Sequence, residues 1–179
     1  MKIYMSNIEQ IKNIHDLERK LFEPEISQYN KFSNKKRKLQ YLVAHSIVRD
    51  MCGENVVVDP LGRPTIKSGF ISIAHKDNWV VVAISNNNIG IDIENTDINR
   101  DFVETAEMLD LPKTTDKKQF YKNFVQYEAN YKYGKDVNQS HTYFYEFDNY
   151  LIGITTTETA TDIQFVLPDA MRVCLTAAE

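Results

Sequence analysis

Ile89-Gly90-Ile91-Asp92-Ile93-Glu94 alternates three isoleucines with a glycine and two carboxylates. A period of two belongs to a strand, so the isoleucines face a core while Gly90, Asp92 and Glu94 share the opposite face. Carboxylates at i and i+2 stand about 6.5–7 Å apart along such a strand, near enough to share one hard cation if a third ligand joins them. Gly90 on the same face leaves room for a ligand to approach the backbone. An edge strand with a solvated acidic face has the same pattern, and the segment alone leaves both readings open.

With 179 residues, 42% of them hydrophobic and 26% charged, the chain fits one ordinary globular domain or two small halves sharing a core. A net charge of −4 argues against general nucleic-acid binding. Cys52 and Cys174 make neither a disulfide framework nor a ligand cluster, and read as buried thiols in a reducing compartment. Residues 1–20 scatter their charges and lack the apolar stretch of a signal peptide, and the longest apolar run, residues 79–84, is too short to span a bilayer. A cytoplasmic protein with no nucleic-acid and no membrane partner is expected.

The flanking chain reads as follows. Residues 1–4 suit a short strand, and Ile8, Ile11 and Leu17 predict a helix after it. Pro24 and the polar residues 27–30 mark a break. Leu39, Leu42, Val43, Ile47 and Met51 then recur at helical spacing, between a cap at Asn34 and a stop at Gly53. Lys35, Lys36, Arg37 and Lys38 oppose the dipole of that helix, which points either to an anionic partner or to a solvated basic end. Strands are expected at 56–58, 70–74 and 79–85, with turns at 59–64, 77–78 and 86–88, implying a small, largely antiparallel sheet.

Beyond Glu94, a weak helix at 103–109 halts before Pro112. Asp116 caps a second long helix marked by Phe120, Phe124 and Tyr131 and stopped by Gly134. Residues 143–147 and 150–154 form a hairpin about Asp148-Asn149, and 163–167 a last strand closed by Pro168. The stretch Asp77-Asn78-Trp79-Val80-Val81-Val82 is echoed by Asp148-Asn149-Tyr150-Leu151-Ile152-Gly153. Each follows a lysine-rich helix start, Asn34-Lys35-Lys36 and Asp116-Lys117-Lys118. The order suggests an α+β protein of two pseudo-symmetric halves, residues 1–88 and 89–179, each a small antiparallel sheet packed with a long helix. Sites tend to form where such halves meet.

Glu128 and Lys132 lie four apart on the second helix and so share a face, with the glutamate N-terminal. They make either an exposed salt bridge or part of a three-carboxylate oxygen site with Asp92 and Glu94. Mg²⁺ suits such a site, because it prefers a few carboxylates plus waters and substrate phosphates. In that case Lys132 reaches the phosphate.

Two of these stretches, Gly90-Ile91-Asp92-Ile93-Glu94 and Phe124-Val125-Gln126-Tyr127-Glu128-Ala129-Asn130-Tyr131-Lys132, resemble the signature motifs of 4′-phosphopantetheinyl transferases. The form is that of the longer, pseudo-dimeric enzymes that activate surfactin and other peptide synthetases. Glu128 follows Glu94 by 34 residues, a compact spacing for the family. Gly62-Arg63-Pro64 is similar to the family's Gly-Lys-Pro turn, and Ile73-Ala74-His75 with Trp79 to its Ser-His segment. Met1-Lys2-Ile3-Tyr4 fits the usual start, so the resemblance covers most of the chain in order.

The resemblance implies two α+β halves with the active site at their interface. It implies Mg²⁺-dependent transfer of the phosphopantetheine arm of coenzyme A to a serine of an apo acyl or peptidyl carrier protein, releasing 3′,5′-ADP. Asp92, Glu94 and Glu128 match the metal ligands, and His75, Arg63 and Lys132 match positions that contact coenzyme A phosphates. Asp92, Glu128 and Lys132 are the residues on which catalysis falls, with Glu128 a candidate base for the serine proton. A metal and fixed cations would stabilise the charge that grows on the phosphoryl oxygens and the departing ADP. The basic residues 35–38 have loose counterparts in the family, and the sequence does not choose among them. Tyr127 replaces the lysine of the family's Lys-Glu pair, Val125 a small polar residue, Ala74 a serine and Phe124 a tryptophan. A catalytically impaired relative, binding coenzyme A or a carrier protein, is therefore the alternative, with an unrelated metal-dependent phosphohydrolase behind it.

Overall fold

The structure, a computed structural model, describes residues 1–98, 101–134, 136–167 and 176–177. The chain runs through β1 (Lys2–Asn7), α1 (Ile14–Glu18), α2 (Glu23–Lys31) and the long α3 (Lys35–Cys52). The ribbon β2 (Val57–Val58) and β3 (Pro64–Thr65) precedes the hairpin β4 (Phe70–Lys76) and β5 (Trp79–Ser85). Then come β6 (Ile89–Asn95), α4 (Phe102–Met108), the long α5 (Lys117–Tyr133) and the hairpin β7 (His141–Phe147) and β8 (Tyr150–Thr156). The short strands β9 (Gln164–Val166) and β10 (Thr176–Ala177) follow.

Local chemistry sets the long helices. The Asn34 side chain accepts from the Arg37 amide at 3.0 Å, and Gly53 ends α3. Asp116 accepts from the Lys118 amide at 2.8 Å and Gly134 ends α5. Both caps are as the sequence predicts. Pro24 is not a break: it lies in the first turn of α2, where a missing amide proton costs nothing. The helix expected after β1 is only a 3₁₀ turn at Ile8–Gln10 and the short α1. Cys52 is half-buried at the end of α3, while Cys174 and Pro168 lie outside the described residues.

Among the described residues there are, besides the β2–β3 ribbon, two four-stranded sheets, ordered β4-β5-β1-β9 and β10-β7-β8-β6. In the first, β5 pairs antiparallel with both β4 and β1; in the second, β8 pairs antiparallel with both β7 and β6. Residues beyond the expected boundary at 88 return to the first sheet, because β9 pairs parallel with β1. Each turn of the echoed stretches has its aspartate in the left-handed region, Asp77 at φ 49° and Asp148 at φ 48°.

The apolar pattern stacks the layers α3, first sheet, second sheet, α5. Val80 and Val82 pack with Val43, Ala44 and Val48 of α3. Their strand neighbours Trp79, Val81 and Ala83 join Ile89, Ile91, Ile93, Ile152 and Ile154 between the sheets. Burial on both faces explains why β5 is a continuous apolar run. On the far side, Leu151 packs with Phe120, Phe124 and Val125 of α5.

The isoleucines of β6 thus point inward as their alternation demands. The other face is not solvated: Asp92 is 7% exposed and Glu94 9%. Gly90 does not leave space for a ligand. A Cβ there would collide with the carbonyl oxygen of Ala129 and the amide nitrogen of Tyr133, so the glycine admits the α5 backbone itself. Gly90→Ala is expected to destabilise the protein by about 3 kcal/mol, since backbone cannot yield as a side chain does. Urea denaturation measures the loss.

Candidate functional site

The strands β4 and β6 are the edges of their sheets, and they meet at a seam where the Ile91 amide donates to the Ser72 hydroxyl at 3.0 Å. Ile71, Ile73 and His75 lie on the α3 side of β4. Between them, α3, the β2–β3 ribbon and the last turns of α5 is a cavity of about 700 Å³. Its volume suits a small-molecule ligand. Arg37, Tyr41 and His45 line it from α3, Arg63 from the ribbon, and Glu128, Tyr131 and Lys132 from α5. Arg63 spans the seam: a Cβ on Gly134, at the end of α5, would strike its guanidinium.

Cations dominate one wall. Of the four basic residues opening α3, Arg37 lines the cavity, its guanidinium 5.4 Å from the Phe32 ring centroid. Lys35 and Lys36 are exposed and the Lys38 ammonium lies 4.9 Å from the Tyr29 ring centroid. Burial lowers the Arg37 pKa. His75 is pushed down to about 4, by burial first and then by the charges of Arg37, Lys132 and Lys76. It is a neutral imidazole at pH 7, set among three cations.

The acids lie behind this wall. Lys132 Nζ donates to Asp92 Oδ1 at 2.6 Å, and Lys76 Nζ stands 2.6 Å from Glu94 Oε2. Asp92 Oδ2 is buried and has no hydrogen-bond partner. Burial raises the Asp92 pKa against the pull of Lys132, and the charge of Glu128 raises it further. The negative charge of Glu128 thus reaches Asp92. Among the described residues, however, no three of the His, Cys, Asp and Glu side chains converge closely enough to hold an ion. Lys132 lines the cavity but rests on Asp92 rather than bridging to Glu128, because α5 lies so close on β6 that the carboxylate is within its reach. In donor chemistry, the buried orphan oxygen above all, these carboxylates suit a hard cation such as Mg²⁺, although they stand too far apart here to hold one.

A second cluster on the cavity wall escaped the sequence reading. Glu25 Oε1 lies 2.8 Å from His45 Nδ1 and accepts from the Val56 amide at 3.0 Å. Its Oε2 accepts from the Phe22 amide at 3.1 Å. One carboxylate thus ties α2 and α3 to the start of the ribbon that carries Arg63. Tyr41 stacks on His45 with centroids 3.8 Å apart, and its hydroxyl is pushed up to about 12 by burial and then by Glu25. Reading Pro24 as a break hid α2, and with it this cluster. Directly beyond the Lys76–Glu94 pair, Tyr150 and Asn95 donate to Asp77 Oδ2 at 3.1 and 2.8 Å, latching the two echoed turns together.

No helix among the described residues is long and apolar enough to cross a membrane. Comparison of the chain with protein-family models and with curated proteins found no match.

A prediction follows from His75. The unfolded state binds its proton near pH 6.5 and the folded state only near 4, so between these values unfolding takes up a proton and stability rises with pH. His75→Gln is expected to flatten that part of the profile, measured by urea denaturation across the same window.

Proposed function

We propose that the protein is a 4′-phosphopantetheinyl transferase, moving the arm of coenzyme A to a serine hydroxyl of an apo acyl or peptidyl carrier protein and releasing 3′,5′-ADP. One observation carries this reading. Cations from three separate elements crowd about His75, beside a buried carboxylate with an unpartnered oxygen, where two edge strands meet. The repeated strand order of the two sheets supports the view that the halves are related, as that family's are.

Arg37, Arg63 and Lys132 would bind the phosphates, and neutral His75 would donate a hydrogen bond to one of them. Asp92, Glu94 and Glu128 would hold Mg²⁺, whose contribution is to neutralise charge on the diphosphate. Glu128 is half-buried at the cavity wall, where it can accept the serine proton directly or through a water. Low dielectric in the cleft strengthens each of these charge interactions. Tyr127 favours the second reading, an impaired relative that binds without efficient transfer. It is 38% exposed on α5 and brings no charge where the family has a lysine.

Mixing the protein with coenzyme A, Mg²⁺ and an apo carrier protein is expected to add one phosphopantetheine arm to the carrier, read by mass spectrometry. Binding of coenzyme A without that gain would favour the impaired relative, and coenzyme breakdown without a carrier would favour a hydrolase. Glu128→Gln is expected to lower the transfer rate by about 10²-fold or more, and near-normal turnover in that variant removes Glu128 from the reaction. Asp92→Asn should abolish the rise in melting temperature that Mg²⁺ produces. In metal-free buffer the variant is expected to be less stable than the parent, because Lys132 is left mostly buried without its counter-charge; urea denaturation measures the loss.

A further inference from the structure

We infer that Lys76 stands in for the cation missing at position 127: it rests on Glu94 in the free protein and turns to a ligand phosphate when a divalent cation takes up Glu94. The inference depends on the transferase reading of the same site.

Lys76 ends β4 directly after His75, and its ammonium lies 2.6 Å from Glu94 Oε2 with both side chains mostly withdrawn from water, at 19% and 12% exposure. Its charge reaches His75 together with those of Arg37 and Lys132. The neighbouring carboxylate of β6 has the same arrangement, Lys132 on Asp92, also at 2.6 Å. Each acid of the pair therefore has an ammonium against it from an element that packs on β6. Two ammonium ions carry the charge of one divalent cation. Exchanging them leaves the local charge unchanged and releases two mobile cations at the seam, Lys132 on the cavity wall and Lys76 next to the cavity-lining His75. Lysine suits this handover, because a compact charge on a flexible four-carbon stem can change partners without moving the backbone. A consequence is reciprocal coupling: the divalent cation and the anion each free the other's binding groups, and each strengthens the other's binding.

Calorimetry with MgCl₂ alone and with coenzyme A in the presence of Mg²⁺ tests the inference on the parent protein, K76M, K76R and the double variant K76M/Y127K. In K76M, coenzyme A affinity is expected to fall about tenfold, the loss of one charge-assisted contact. Mg²⁺ affinity measured alone should rise, since Glu94 loses the ammonium held against it. K76R keeps the charge and should bind coenzyme A nearly as the parent does, and K76M/Y127K should recover most of what K76M lost. A lysine that merely braces Glu94 would lower the melting temperature and leave coenzyme A affinity unchanged; that result, or Mg²⁺ affinity falling in K76M, overturns the inference. Failure of Y127K to restore binding overturns the substitute role. If K76M does not fold, Y127K alone decides. A gain in coenzyme A affinity below about threefold agrees with a cation already supplied, and a gain of about tenfold shows the role vacant and overturns it. A parent protein that binds no coenzyme A removes the transferase reading and this inference together, whereas normal binding by the parent and K76M alike removes only the role of Lys76.

Discussion

The backbone of α5 lies directly on β6 at Gly90, and the electrostatics of the cleft follow from that closeness. A helix so near the strand covers the face that carries Asp92, strips water from the carboxylate and brings Lys132 within 2.6 Å of it. The pair satisfies one carboxylate oxygen and leaves the other buried without a partner. Such an oxygen is costly to keep in a folded protein. Its presence at the seam, beside Glu94, is a local cost to the stability of the fold.

The seam itself is made of strand edges. β4 and β6 each end a sheet, and edges left open invite aggregation. Here they cover each other, through the Ser72 to Ile91 hydrogen bond and the shared core beneath. The turns Asp77-Asn78 and Asp148-Asn149 are tied by Tyr150, Asn95 and Asn149. Rigid fastening at these points fixes where α3 and α5 stand. Arg37, Arg63 and Lys132, from three elements remote in sequence, can then hold their charges about one cavity without a ligand to gather them.

Several of these features are legible in the residues alone, and the reasons are local. Asn34 and Asp116 announce their helices because a cap is a contact within one turn. The isoleucine alternation of β6 states which of its faces meets the core, and the solid apolar run of β5 states that both of its faces are buried. The Asp-Asn turns define both hairpins. Pro24 misleads, since a proline reads alike as a breaker and as a first-turn residue until the chain after it is seen to be helical. Gly90 misleads for a related reason: a missing side chain signals a close approach without saying what approaches. Nothing near Glu25 or His45 in sequence points to their union, and nothing separates Arg37 from its three basic neighbours.

The amino-acid sequence by itself determined the two long helices, the two hairpins and the core-facing side of β6, because each depends on period, capping or composition over a few residues. Only the tertiary structure decided that the acidic face of β6 is covered, that Lys132 and Lys76 are held by Asp92 and Glu94, and that Arg37 is the helix-start cation turned into the cavity. Those outcomes depend on distances between segments far apart in the chain. Such distances are set by how the layers pack, and no local pattern encodes them.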